Sequence, residues 1–209
     1  MSAAEVDGLQ ALARAEQALL ALQPKPFPLP LGRLAPVVAG AFAGVQKGDW
    51  VVAGPRERIG AALRGCPVER LVDPAVGARP YKLAPVSGSP GARALHAVGL
   101  ALACQRPVLC FLGLASVASG AAHEALNTAA LTGAPVIFLH VAVPLSAEAP
   151  VGPQLAGDVA AIAAAHGVEV ATVTSPDLAG LQAAVQQAVA LARQRAMAPR
   201  PQLLSLTLS

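Results

Sequence analysis

Apolar stretches of strand length alternate along the chain with stretches whose apolar positions recur at helical spacing. Five apolar stretches predict strands, which lie within KGDWVVAG (47–54), RPVLCFLG (106–113), APVIFLHVAV (134–143), GVEVATVT (167–174) and RPQLLSLTLS (200–209). Helices are predicted at 3–22, 34–46, 56–65, 90–105, 119–132, 153–166 and 175–196, with a further helical turn at 67–73. Because strands that are apolar throughout must be covered on both faces, the pattern predicts an α/β fold, a mostly parallel sheet with helices on both faces.

A proline-rich segment, QPKPFPLPLG (23–32), separates the first helix from the rest of the chain. Proline cannot continue a helix, so this segment predicts an extended linker. The sequence therefore predicts an N-terminal helix with its linker, residues 1–30, followed by a single α/β domain, residues 31–209.

Local capping signals mark two helix ends. Gly65 is a predicted C-cap, because glycine tolerates the left-handed backbone that often ends a helix. Ser175, Pro176 and Asp177 follow one another in the order typical of a helix N-terminus.

The composition is that of a folded protein with an extensive core. Of the 209 residues, 55% are hydrophobic, 13% are charged and 3% are aromatic. This excludes an intrinsically disordered chain and leaves most of the burial to alanine, valine and leucine. We expect the alanine-rich surface to need a partner that covers it.

The charge distribution argues against nucleic acid as a partner. The net charge is +3 and the sequence pI is about 9.1. The basic residues are scattered, and no basic run is interleaved with aromatic residues, which a nucleic-acid footprint would require.

The termini and the longest uncharged stretch favour a soluble, cytoplasmic protein. The N-terminal segment carries Glu5 and Asp7 and has no basic region, which is untypical of a signal peptide. The uncharged stretch 125–147 is interrupted by Gly133 and Pro135, so it predicts half a helix, a turn and a strand and not a membrane span.

The three cysteines, Cys66, Cys104 and Cys110, are odd in number and lack CxxC spacing. Two of them stand among apolar residues. We therefore predict buried, reduced thiols and a reducing compartment.

No motif of the common cofactor or hydrolase sites is present. The chain lacks GxGxxG, the Walker loop and G-x-S-x-G, although Ser116 and Ser119 follow a predicted strand. SGSPGA (87–92) is better explained as a turn that leads into a helix than as a phosphate loop.

The four histidines, His96, His123, His140 and His166, have no metal-ligand spacing. His123 and Glu124 are adjacent, so on a helix they point about 100° apart and are poorly placed to share a metal. His140 lies inside an apolar strand and is predicted to be a core histidine with a satisfied hydrogen bond.

One segment resembles a known family. HEALNTAALTGAPVIFL (123–139) is similar to the alpha subunit of the thiamine-diphosphate-dependent 2-oxo acid dehydrogenases of the pyruvate and branched-chain type. In that family a strand leads into Gly-Asp-Gly, which is followed by a helix with FHEALNxAA and then by a turn with Glu-Asn-Asn. The resemblance extends to most of residues 8–207 through GARALHAVGLALA (91–103), KGDWVVAGPRERIGAALRGCPVERL (47–71) and RPQLLSL (200–206). It implies a thiamine-diphosphate-binding-like fold.

The departures from the family concern its cofactor ligands. The family's Asp of Gly-Asp-Gly and last Asn of Glu-Asn-Asn hold magnesium on the diphosphate, and the matching positions here are Leu114 and Val143, beside Ala115 and Ala142. Magnesium demands oxygen ligands, which these side chains lack. We therefore predict no metal and no cofactor for this chain alone.

Two further loops differ. The family's Tyr-Arg-x-His segment matches 55–58, where only Arg56 is kept as a cofactor-binding candidate and Glu57 would oppose an anion. The family's histidine-bearing loop should lie between Gly65 and Gly88, but that span is shorter here and contains no histidine.

The helix that follows the second predicted strand keeps the family's contact pattern. Gly120 and Glu124 keep a G-x-x-x-E spacing that in the family lies on subunit-contact helices, and Asn127 matches as well. The resemblance thus implies a subunit contact through these three residues.

The sequence supports three hypotheses. The first is a degenerate, non-catalytic alpha-subunit homologue that acts as a structural or regulatory subunit with a beta-type dehydrogenase subunit or with its own copy. The second is a functional alpha subunit that completes a site for thiamine diphosphate and magnesium with a beta-type partner. The third is a binder of acyl compounds that reuses an apolar cleft at Leu114, Val117, Val141 and Val143.

Overall fold

The sheet is parallel throughout. The computed structural model describes residues 3–22, 30–73, 75, 77–142, 155–175, 178–198 and 200–207. Its strands are β1 (Trp50–Val52), β2 (Val108–Leu112), β3 (Val136–Ala142), β4 (Glu169–Val173) and β5 (Gln202–Thr207). They pair in the order β1-β2-β3-β5-β4, and every pair is parallel. The predicted parallel sheet is confirmed.

Helices cover both faces of this sheet, as predicted. They are α1 (Ala3–Leu22), α2 (Ala35–Gly44), α3 (Ala92–Cys104), α4 (Leu114–Val117), α5 (Gly120–Thr132), α6 (Val159–Ala165) and α7 (Leu178–Ala196). The core under α1, α2 and α7 is separate from the core under α3, α5 and α6. Successive residues of β2 and β3 alternate between the two cores, as the two-residue period of a strand requires. None of the helices in the described part of the chain combines the length and the apolar character that a membrane span requires.

Four local features differ from the predictions. The helix predicted at 153–166 begins at Val159, and residues 155–158 before it are not helical. The helix predicted at 56–65 is a 3-10 helix, Glu57–Arg64, which ends as predicted with Gly65 in the left-handed region at φ 83°. The helix predicted at 34–46 ends two residues earlier, at Gly44. Short helix α4 was not predicted, because a single turn is too short to show a period. The predicted capping residues Pro176 and Asp177 lie outside the described residues.

The face that carries α2 and α7 is unusually tightly packed. A Cβ at Gly40 would overlap the carbonyl oxygen of Gln182, and a Cβ at Gly44 would lie 2.7 Å from the carbonyl oxygen of Gln186. The two helix backbones therefore touch, which only glycine permits at these positions. α1 packs on the same side through Leu12, whose side chain is fully buried.

A single extended residue continues the sheet beyond β1. Leu83 forms an isolated parallel bridge with Val51, and the backbone N–H of Ala84 donates to the carbonyl oxygen of Val51 over 3.0 Å. The chain then turns through SGSPGA into α3. This places the start of α3 at the carboxyl edge of the sheet, where ligands of such folds bind.

Candidate functional site

The carboxyl ends of β1, β2 and β3 form one edge, and the predicted site residues stand there. Gly113 follows β2 in an extended conformation, and Leu114 begins α4 directly after it. Leu114 is half-buried, as is Ala142 at the end of β3. Val143, the second position at which the family has a metal ligand, lies outside the described residues. The described part of this edge therefore offers a leucine where a carboxylate would be needed.

The two serines beyond β2 have structural roles. Ser119 is the N-cap of α5: its Oγ accepts from the backbone N–H of Ala122 over 3.3 Å. The same hydroxyl donates to the carbonyl oxygen of Ser116 over 2.7 Å. Ser116 is itself 2% exposed. The hydroxyl of Ser119 and the backbone carbonyl of Ser116 thus stabilise the α4–α5 junction.

The SGSPGA turn brings two helix N-termini together. A Cβ at Gly91 would overlap Oγ of Ser119 and would lie 2.6 Å from its Cβ. Gly91 is the N-cap of α3 and provides no side-chain cap. The first turns of α3 and α5 therefore meet at the carboxyl edge of the sheet, and glycine is needed where they touch.

The segment after β1 carries three successive charged residues. Arg56 and Glu57 are half-buried, and the role of Arg56 as a cofactor contact stays a prediction. Arg58, at the position of the family's histidine, is 1% exposed. Burial lowers the pKa of Arg58, whereas the charge of Asp73 raises it. This arginine is inside the protein and not on the edge that a ligand would reach.

Sequence reasoning missed Arg93, a buried cation at this edge. It is 7% exposed, and its Nη1 donates to the carbonyl oxygen of Phe111 over 3.2 Å. A Cβ at Gly54 would lie 2.7 Å from that Nη1. The signal was present, because helical spacing places Arg93 on the same face of α3 as the apolar Ala97 and Ala101.

His140 is a core histidine, as predicted. It is 3% exposed, and its Nδ1 lies 3.1 Å from the carbonyl oxygen of Leu112. Since a carbonyl oxygen can only accept, Nδ1 carries the proton of the neutral ring. Burial lowers the pKa of His140, and the hydrogen bond to Leu112 opposes that shift.

The histidines do not assemble a metal centre. The rings of His123 and His166 meet edge to face with centroids 5.7 Å apart, whereas His96 is exposed elsewhere on α3. Among the described residues, no group of three or more histidine, cysteine, aspartate or glutamate side chains could hold a metal ion. A magnesium ion needs several oxygen ligands, so the described residues do not fit it.

Two of the cysteines are buried as predicted, and one is not. Cys66 and Cys110 are buried, and Cys104 at the end of α3 is half-buried. Burial raises the pKa of the Cys110 thiol to about 12. Cys104 packs against the core under α3, but it is the last residue of its helix and stays partly accessible.

Two of the valines proposed to line an apolar cleft, Val117 and Val141, are not brought together, and the third, Val143, lies outside the described residues. Val117 packs in the core under α3 and α5, whereas Val141 packs in the core on the opposite face of the sheet. Both are buried, at 1% and 7% exposed.

The predicted contact residues lie on α5 with open surroundings. Gly120 and Glu124 are exposed and Asn127 is half-buried. A Cβ at Gly120 would meet no atom within 4 Å. Further along the helix, Leu131 is 79% exposed. An exposed leucine on a helix that also carries glycine is compatible with a contact surface, but the subunit contact itself stays a prediction.

Two comparisons find relatives, and one finds none. No model of a known protein family matches the chain. The 3-methyl-2-oxobutanoate dehydrogenase alpha subunits of Mycobacterium tuberculosis strains CDC 1551 and H37Rv are each 32% identical over 167 residues, which cover 74% of this chain and 46% of the relative. The chain thus spans about half the length of the curated relatives it matches.

Solved structures agree on the fold. A transketolase from Campylobacter jejuni matches with a TM-score of 0.70 at 16% identity, covering 99% of this chain and 38% of the transketolase. A transketolase from Pichia stipitis matches with a TM-score of 0.71 at 18% identity, covering 99% of this chain and 36% of the other. The chain therefore has the thiamine-diphosphate-binding-like fold, and its resemblance to the dehydrogenase alpha subunits is confirmed.

Proposed function

We propose that this chain is a non-catalytic, structural or regulatory relative of 2-oxo acid dehydrogenase alpha subunits. In this role it binds neither thiamine diphosphate nor magnesium by itself. It acts as one subunit of a larger assembly, paired with a beta-type dehydrogenase subunit or with its own copy.

Leu114 supports the proposal that this chain binds neither thiamine diphosphate nor magnesium by itself. It begins α4 at the carboxyl end of β2, where the related family has its aspartate ligand. A half-buried leucine supplies no oxygen, and a diphosphate placed beside it without a cation would lose its solvation without compensation. The hydroxyl of the nearby Ser119 already donates to the carbonyl oxygen of Ser116 and accepts from the backbone N–H of Ala122 at the start of α5.

The exposed side of α5 supports the proposal that the chain is a subunit of a larger assembly. Gly120, Glu124 and Leu131 lie at helical spacing on one side, and the leucine is 79% exposed. The relatives found are named as subunits, which favours an assembly in which another subunit covers this side of α5. Glycine at position 120 leaves space into which a second backbone fits.

A functional alpha subunit is the second candidate. The 32% identity to a named dehydrogenase subunit favours it, and so does Arg56, which stands half-buried beyond the end of β1. In this case a beta-type partner would supply the ligands that the described edge of this chain lacks.

Native mass spectrometry separates the two candidates. The tagged chain is isolated from its own cells in buffer that contains magnesium and thiamine diphosphate. Our proposal expects an oligomer whose mass equals the sum of its protein chains. An oligomer that carries one thiamine diphosphate per copy of this chain would refute it and would support the functional subunit.

Two matched variants locate the contact. Glu124→Arg lies on the proposed contact surface of α5. Glu69→Arg is the control, at an exposed position that is distant from α5 in the sequence. We expect only the α5 variant to release the partner. Equal retention of the partner by both variants would place the contact elsewhere.

A further inference from the structure

We propose that a second copy of this chain covers the outer face of α3 and α5, with the α3 of each copy packed on the α5 of the other. This inference rests on the proposed role as a subunit, and it names the partner that the α5 surface takes.

α3 and α5 lie side by side and in register along their axes. Both pack on one core on the same face of the sheet, and each leads into a strand of the parallel sheet, so the two helices run in the same direction. Their N-termini touch, because a Cβ at Gly91, the N-cap of α3, would overlap Oγ of Ser119, the N-cap of α5. Each helix has 13 residues. Residues that are equally far from the two N-caps therefore lie beside each other.

Each helix directs a row of four residues away from the core. Positions i, i+4, i+7 and i+11 share one side of a helix, and here that side lies opposite the buried residues. In order from the N-terminus, the rows consist of Ala92, His96, Gly99 and Ala103 on α3 and of Gly120, Glu124, Asn127 and Leu131 on α5. Ala92 and Asn127 are half-buried, and the others are exposed. We call these eight residues the α3–α5 face.

The α3–α5 face is poor in charge and carries an exposed leucine. It contains no lysine, arginine or aspartate, and Glu124 is its one carboxylate. Leu131 is 79% exposed, more than any other large hydrophobic side chain in the described part of the chain. Helix faces that stay in water usually carry several charged residues, so this face is typical of a contact surface.

The two rows complement each other across a two-fold axis. An axis that runs parallel to the two helices and midway between them places the α3 of one copy on the α5 of the other, again in register. His96 then faces Glu124, and Ala103 faces Leu131, and both contacts occur twice. Because an acid faces a base and the large apolar side chain faces a small one, the face is complementary to itself, which favours a second copy as the partner.

The carboxylate of Glu124 can accept a further hydrogen bond. Its Oε1 accepts from the hydroxyl of Thr128 over 3.2 Å, and no described residue donates to Oε2. A ring N–H of a histidine can donate to this second oxygen whether the ring is neutral or charged. The contact of His96 with Glu124 therefore fixes the register of the two copies, whereas the contact of Leu131 with Ala103 buries apolar surface.

The area of the α3–α5 face predicts a weak dimer. A helix of 13 residues is about 20 Å long, and two packed helices are together about 20 Å wide. Each copy then buries on the order of 400 Å², which is about half of what each partner buries in a stable complex. We therefore expect a reversible dimer with a dissociation constant on the order of 10–100 μM.

Sedimentation velocity of the purified full chain, without any other subunit, tests the proposal. The native chain is measured at a series of concentrations between about 1 and 300 μM, over which it should pass from monomer to dimer. Leu131→Glu should raise the dissociation constant at least about tenfold, because it buries a charge against the other copy. Leu191→Glu is the matched control, since this leucine is 49% exposed on α7, which packs on the other face of the sheet. It should leave dimerisation unchanged.

Exchanging the acid and the base tests the register. His96→Glu and Glu124→Arg should each raise the dissociation constant at least about tenfold, because two acids or two bases then face each other. An equimolar mixture of these two variants should dimerise again. In the mixed dimer the two substituted positions face each other as an acid and a base, and the native pair of His96 and Glu124 remains in the other half. A contact within one chain could not give this rescue.

Three outcomes would overturn the pairing through the α3–α5 face. One is a chain that stays monomeric at the highest concentration; the proposed subunit role would survive this result if the chain is isolated from its own cells together with a different subunit. The others are a dimer that does not respond to Leu131→Glu and a mixture of the two charge variants that stays monomeric. Thiamine diphosphate bound to a dimer that shows the expected variant response would instead refute the non-catalytic role and support the pairing.

Discussion

Arg193 on α7 donates from Nε to Oδ2 of Asp49 over 2.6 Å, which connects the start of β1 with the helix that packs on the sheet. Asp49 is fully buried. Its other oxygen lies 3.3 Å from Nη2 of Arg106, and the backbone N–H of Gln46 donates to Oδ2 over 3.0 Å. Nη1 of Arg64 donates to the backbone carbonyl oxygen of Asp49 over 2.9 Å. The buried carboxylate of Asp49 thus holds two arginines, and the backbone carbonyl of the same residue holds a third.

Replacing this carboxylate should destabilise the fold. We expect Asp49→Asn to lower the free energy of unfolding by about 3 kcal/mol, because the arginines lose their shared counter-ion in a partly buried setting. Chemical denaturation measures the change. Glu69→Gln removes an exposed carboxylate and should change the stability by less than about 0.5 kcal/mol. Equal effects of the two substitutions would show that the Asp49 network contributes little.

Two glycine substitutions should act in opposite directions. Gly40→Ala forces a Cβ against the backbone of α7, so we expect a loss of at least about 2 kcal/mol as the helices separate. Gly99→Ala is the matched control, because this exposed glycine of α3 has no atom within 4 Å of the added Cβ. It should stabilise the protein by about 0.5–1 kcal/mol through helix propensity. A neutral Gly40→Ala would contradict the close approach of α2 and α7.

The sequence predicted the sheet well because its strands are apolar throughout and lie between helices of ordinary length. The 3-10 helix Glu57–Arg64 could not be distinguished from an α-helix, since eight residues show too few turns to separate periods of 3.0 and 3.6. The contacts of Asp49 could not be predicted either, because Arg193 is 144 residues away from Asp49 along the chain. Long-range pairs of this kind are set by topology, which local patterns do not encode.

His140 should make the stability depend on pH below neutrality. Burial lowers its pKa in the folded state, so the unfolded chain binds this proton more readily. The stabilisation by the neutral ring is fully present above the unfolded pKa of about 6.5, and it is lost as the pH falls towards the folded pKa. Denaturation at a series of pH values between about 7 and 5 should show this loss.

His140→Gln provides the comparison for that titration. A glutamine amide can still donate to the carbonyl oxygen of Leu112, but it does not titrate. The variant should therefore show a smaller decrease in stability over the same pH range. If both proteins lose stability in parallel, other groups carry the pH dependence.

The candidate site could be predicted in part. Motif matching placed Leu114 correctly at the carboxyl end of β2, because the family pattern fixes its distance from the strand. It did not identify Arg93, which contacts the backbone of Phe111, 18 residues away along the chain. It also grouped Val117 with Val141, which pack in the cores on opposite faces of the sheet.

Cys110 should make the stability decrease at high pH. Its thiol is fully buried, and burial raises its pKa from 9.0 to about 12. Between these values the unfolded chain releases the proton and the folded chain keeps it, so the unfolding free energy should decrease by up to about 1.4 kcal/mol per pH unit. Cys110→Ala removes the titrating thiol from both the folded and the unfolded chain. The difference between the two pH profiles is therefore the quantity to measure, since tyrosine and lysine titrate equally in both proteins.

Alkylation gives an independent measurement of the same thiol. With iodoacetamide at pH 8 we expect Cys104, which is half-buried, to react in the folded protein. Cys110 should react only at the rate of unfolding, because a neutral buried thiol is not a nucleophile. Peptide mass spectrometry identifies the modified residue, and added denaturant should accelerate labelling at Cys110 far more than at Cys104. Rapid modification of Cys110 in the native protein would mean that the core under α3 opens readily, and the predicted loss of stability at high pH would then be absent.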